Sequence, residues 1–112
     1  MTIGALLAFP AMTQGQTASY LDFDGFTGEL RSVVNSSDLA TMESLGTTLG
    51  GREVWVVTVA NREDGPLDQR PGVLVAGNLE GDHLAGSHLA LEAIRYLIQN
   101  AGEPEVREAL DN

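Results

Sequence analysis

The chain has 112 residues, enough for one modest domain, and its 43% hydrophobic and 20% charged content excludes a disordered polymer. A formal net charge of −10 argues against nucleic acid or an anionic membrane as partner, because both need clustered Lys and Arg. No cysteine is present, so disulfides and thiolate zinc sites are excluded, and a metal would have to use Asp, Glu and the two histidines, His83 and His88.

The first apolar run, residues 3–12, "IGALLAFPAM", is too short to span a bilayer. It fits the apolar part of a secretory signal, with "TQGQ" at 13–16 near a cleavage point, although no basic segment precedes it. Residues 1–19 are thus expected to be a leader, a signal remnant or a disordered linker, and the ordered domain to start at Tyr20. A signal remnant would imply a secreted or periplasmic protein.

"DFDGFTGELRSVVNSS" predicts a first helix capped by Asp24, with Phe26, Leu30, Val33 and Val34 as its apolar stripe. A hairpin is expected next. Its strands are 39–45 and 53–60, joined by a turn in "TTLGG" where Gly50 and Gly51 can take positive φ. Val54, Val56 and Thr58 point to one side of the second strand, and Trp55, Val57 and Val59 to the other. Two apolar faces predict a central strand covered on both. Residues 61–72 read as a polar surface loop. "VLVAG", 73–77, is wholly apolar, the pattern of a buried parallel strand.

A helix is predicted over 84–99, with Leu84, Leu91, Ile94 and Ile98 on its core face and Ala90 and Leu97 beside them. Asn100 and Gly102 stop it. A last short helix follows, with Pro104 in its first turn and Glu103, Glu105 and Glu108 at its surface. The order of elements predicts an α/β fold: a partial mixed sheet, hairpin plus one further strand, with flanking helices.

Chemistry concentrates between the third strand and the helix, in "GNLEGDH". In open α/β sheets ligands bind beyond the carboxyl ends of strands. Gly77 and Gly81 permit sharp turns. Glu80 and His83 are three residues apart, so a carboxylate and an imidazole could reach one ion, a donor pair suited to zinc without sulfur. The same residues also read as a plain helix start: Asp82 as cap, Gly81 as turn residue and His83 as a first-turn surface residue. His88 falls at the polar rim of the helix.

Four segments in order carry a resemblance. "YLDFDGFTGELRSVV", "MESLGTTLGGREVWVVTVAN", "RPGVLVAGNLEGDHLAG" and "SHLALEAIRYLIQN" together resemble the N-terminal part of the catalytic domain of zinc metallocarboxypeptidases of the carboxypeptidase A type. The likeness covers residues 20–112. It implies the start of a larger three-layer α/β/α domain, a zinc cofactor and a peptide or protein C-terminus as substrate.

The family's first two zinc ligands form a His-x-x-Glu pattern. The matching positions here hold Glu80 and His83, in reversed order. The reversal leaves two readings: the ligands are swapped and metal is still bound, or the site is altered or lost. Arg52 matches an arginine of the family's first hairpin turn and is read as structural, bonding loop carbonyls or carboxylates. Thr47 replaces that turn's serine.

The family's third zinc ligand, its substrate-binding arginines and its general-base glutamate lie further downstream than these residues. No catalytic residue is therefore assigned. The implied function is the N-terminal portion of a zinc-dependent peptidase acting on C-terminal residues, inactive as an isolated piece and binding zinc there weakly or not at all. The competing expectation is a small non-catalytic binding or interaction domain, or a pseudoenzyme, with an altered or lost metal site. Neither reading fixes an oligomeric state.

Overall fold

The computed structural model describes residues 19–82 and 84–112. The leader expected over 1–19 therefore lies outside the described residues except for Ser19. The elements are helix α1 (Phe23–Asn35), strands β1 (Ala40–Thr47) and β2 (Glu53–Val59), a single 3-10 turn (Leu67–Gln69), and helices α2 (Leu84–Gln99) and α3 (Pro104–Asp111).

Helix α1 starts slightly earlier than its sequence implies. Asp22, not Asp24, is the cap: its Oδ1 accepts from Gly25 N–H at 2.8 Å. Asp24 instead lies in the first turn, where a negative charge favours the exposed amides. At the other end Ser36 Oγ donates to the Val33 carbonyl at 2.6 Å and closes the helix.

Strands β1 and β2 pair antiparallel, with Ala40 opposite Val59 and Thr47 opposite Glu53, and the register slips between Ser44 and Gly46. Gly46, at φ 144°, takes up that bulge. In the connecting turn only Gly51 has positive φ, at 76°, while Gly50 does not. Gly51 N–H donates to Thr48 O at 2.9 Å and Thr48 N–H to Arg52 O at 2.8 Å. The Arg52 side chain lies 5.5 Å over the Phe23 ring, so a cation–π contact joins the hairpin turn to α1.

The fold is a small α/β unit, as the pattern of elements implies. Among the described residues, however, the sheet has two strands, β1 and β2. Residues 73–77 join neither edge, and Val73, Leu74 and Val75 are 94, 88 and 64% exposed. An apolar run fits a segment for burial in a sheet but does not provide the neighbour whose backbone must pair with it. For the same reason β2 is not central among the described residues, where β1 is its one partner and most of its residues are half-buried.

Helix α1 packs on β1 and on α2, which also meets β2. The buried apolar residues are Leu30 and Val34 of α1, Ala40 of β1, Leu91 of α2, and Val106 and Leu110 of α3. On α2 the burial concentrates on Leu91, at 2% exposure; Leu84, expected in the core, is 44% exposed. Helix α3 is tied back to the end of β2, where Asn61 N–H donates to Leu110 O at 2.8 Å and Asn61 Nδ2 to Asp111 Oδ1 at 2.9 Å. An Arg95–Glu29 ion pair bridges α2 and α1.

Candidate functional site

The loop bearing Glu80 is held at both ends. Upstream, Arg70 donates to three backbone carbonyls: Asn61 O at 2.7 Å, Gly65 O at 2.8 Å and Leu110 O at 3.4 Å. This fixes the exit of the polar loop against α3. Downstream, the chain turns at Asn78, which sits at φ 57°. That left-handed conformation suits Asn better than a bulkier residue, because the short amide side chain tolerates it. The sharp turn is therefore at Asn78, and neither Gly77 nor Gly81 has positive φ. Gly77 instead lies directly against the backbone of Gly86 on α2.

Glu80 and Asp82 are both exposed on this loop, and Asp82 stands in the turn just before α2. His83, the second expected ligand, lies outside the described residues. Among the described residues no three His, Asp or Glu side chains gather closely enough to hold a metal ion. The chemistry of the donor pair nonetheless fits zinc, which takes carboxylate oxygen and neutral imidazole nitrogen where thiolates are lacking.

His88 is half-buried on α2, with both ring nitrogens engaged. Leu21 N–H donates to its Nε2 at 3.2 Å, and its Nδ1 faces Leu84 O at 3.0 Å. A backbone N–H only donates, so Nε2 must accept, which places the ring proton on Nδ1 toward the carbonyl. One neutral tautomer satisfies both contacts. The ring also packs edge-on to Tyr20, centroids 4.9 Å apart, and lies 5.6 Å from Phe26. His88 thus fastens the segment before α1 to α2. No spacing rule in the sequence signals this contact, because its partners are 67 positions apart.

Comparison with known proteins decides the family. The model of the zinc carboxypeptidase family matches residues 29–112, from within α1 through the Glu80 loop to the last residue. The chain belongs to the zinc carboxypeptidase family. Mouse carboxypeptidase M is 30% identical over 94 residues, covering 80% of this chain and 20% of that protein. Human carboxypeptidase D is 25% identical over 124 aligned positions, covering 100% of this chain and 9% of that protein. The chain thus spans a fifth or less of the length of these relatives. No solved structure matches it.

The matched region of this zinc carboxypeptidase relative contains Glu80, His83 and the Gly77–Gly86 contact, and also α2 and α3 in full. Glu103, Glu105 and Glu108 are exposed around α3, well removed in sequence from the loop. Among the described residues, no helix is long and apolar enough to cross a membrane.

Proposed function

We propose that these residues form the N-terminal part of the catalytic domain of a zinc-dependent peptidase that removes C-terminal residues from peptides or proteins. Glu80 and His83 are proposed as two of its metal ligands. The observation that supports this reading is the family match over 29–112, which takes in both positions. The residue types support it too, since one carboxylate and one imidazole remain although their order is reversed.

A bound zinc supplies Lewis acidity, polarising a carbonyl and lowering the pKa of a bound water. Glu80 would contribute a carboxylate oxygen from an exposed loop, and His83 an imidazole nitrogen. A catalytic zinc site uses three protein ligands and an open position, so these two account for part of one. The proton acceptor and the carboxylate-binding arginine are proposed to belong to other parts of the catalytic domain, so the 112 residues alone should not hydrolyse peptides. The apolar segment at 3–12 supports secretion or periplasmic export.

A second reading, a non-catalytic binding domain, draws its support from the reversed ligand order. Calorimetric zinc titration of the wild-type chain, Glu80→Ala and His83→Ala separates the two. The peptidase reading expects weak one-to-one binding in the wild type, cut about 10-fold or more by either substitution. Equal binding in all three proteins would sink it and leave the binding-domain reading.

A further inference from the structure

The Glu80 loop meets α2 through bare backbone. A methyl group on Gly77 would lie 2.8 Å from the Gly86 carbonyl oxygen and 3.1 Å from Ser87 Cα. A methyl group on Gly86 would lie 2.9 Å from Asn78 N and 3.5 Å from Gly77 Cα. The shortest approach at each glycine is closer than carbon tolerates, and backbone, unlike a side-chain tip, cannot swing aside. The contact is reciprocal: each glycine makes room for the other's main chain. Gly86 accepts a conformational penalty for it, because glycine is a poorer helix former than alanine. Gly28, inside α1, provides the contrast, with nothing within 4 Å of a methyl group there.

We infer that Gly77 and Gly86 are positioning residues for the Glu80 loop, their backbone contact setting where Asn78, and with it Glu80, stands on α2. The functional half of this inference rests on the reading of Glu80 as a metal ligand. The structural half does not. Asn78 follows Gly77 directly and holds the left-handed turn, so any displacement at the notch is passed on to Glu80 two residues later. An alanine at position 86 has two opposite consequences. It favours the helix and it pushes the loop away.

NMR of the full chain tests this with two readouts. Wild type is expected to show close contacts between the α protons of Gly77 and Ser87, with ordered amides over 78–81. In Gly86→Ala and in Gly77→Ala the contact is lost and order parameters over 78–81 fall below about 0.6. The helical signal by circular dichroism stays level or rises in Gly86→Ala. Gly28→Ala raises helicity without moving the loop. Should Gly86→Ala fail to fold, Gly77→Ala makes the same test from the loop side without altering the helix.

Zinc affinity is expected to drop about 10-fold or more in Gly86→Ala, as for other groups that orient a metal ligand. Absence of the Gly77–Ser87 contact in wild type, or its persistence in both glycine variants, would overturn the inference. If the wild type binds no zinc, or Glu80→Ala changes nothing, the metal reading fails, while the order parameters still decide the positioning role.

Discussion

Removing the His88 ring tests how the chain before α1 is secured. His88→Ala deletes the acceptor of the Leu21 N–H at 3.2 Å and the ring contacts with Tyr20 and Phe26 at 4.9 and 5.6 Å. A net protein hydrogen bond is worth about 0.5–1.5 kcal/mol, and this one is exposed, so the lower half of that range applies. Each ring pair adds about 0.5–1.5 kcal/mol. The expected loss is therefore about 1.5–4 kcal/mol, concentrated on residues 19–22 and their hold on α2. His88→Phe keeps the ring and removes only the acceptor, so it should lose roughly 0.5–1 kcal/mol. Hydrogen exchange at the Leu21 amide reads the bond directly: both variants should exchange about 2- to 5-fold faster or more. Urea denaturation reads the ring packing, where the two variants should differ by about 1–3 kcal/mol. Unchanged exchange at Leu21 in His88→Ala would refute the tether.

Other substitutions probe the remaining joints. Arg70→Ala should lower stability by about 2–3 kcal/mol in urea, since three carbonyls lose a charged donor. Arg70→Lys should recover only part of this, because a point charge cannot span the carbonyls as a guanidinium fork does. Leu91→Ala should cost about 2–5 kcal/mol as a core cavity, with Leu91 at 2% exposure. Leu89→Ala, two positions away at 70% exposure, should stay within about 0.5 kcal/mol; similar losses at both sites would contradict the placement of the core.

Much of the fold is legible locally. Helix α2 runs over Leu84–Gln99, where apolar spacing ends at the Asn100 and Gly102 stop signals, and α3 starts at Pro104. The hairpin follows from alternation around a glycine turn, and its strands depart from expectation by one or two residues. The family is also legible, because its match over residues 29–112 rests on the order of residues and needs no coordinates.

Spacing does not say which residues meet across the chain. The apolar run at 73–77 has the composition of a buried strand, yet a strand exists only where another backbone offers its amides and carbonyls. His88 carries a rim histidine's spacing, and only the approach of Leu21, 67 positions away, gives its nitrogen a donor. Gly77 and Gly81 look alike in the sequence. A methyl group added to Gly77 would meet helix backbone at 2.8 Å, and one added to Gly81 would meet nothing within 4 Å among the described residues. The helices, the hairpin, the family and the types of donor in the loop can all be read from the order of residues, because they depend on neighbours a few positions away or on residue identity. The strand pairing, the His88 tether and the glycine notch cannot, because each is a contact between segments that no local preference brings together, and it exists only once the chain has packed.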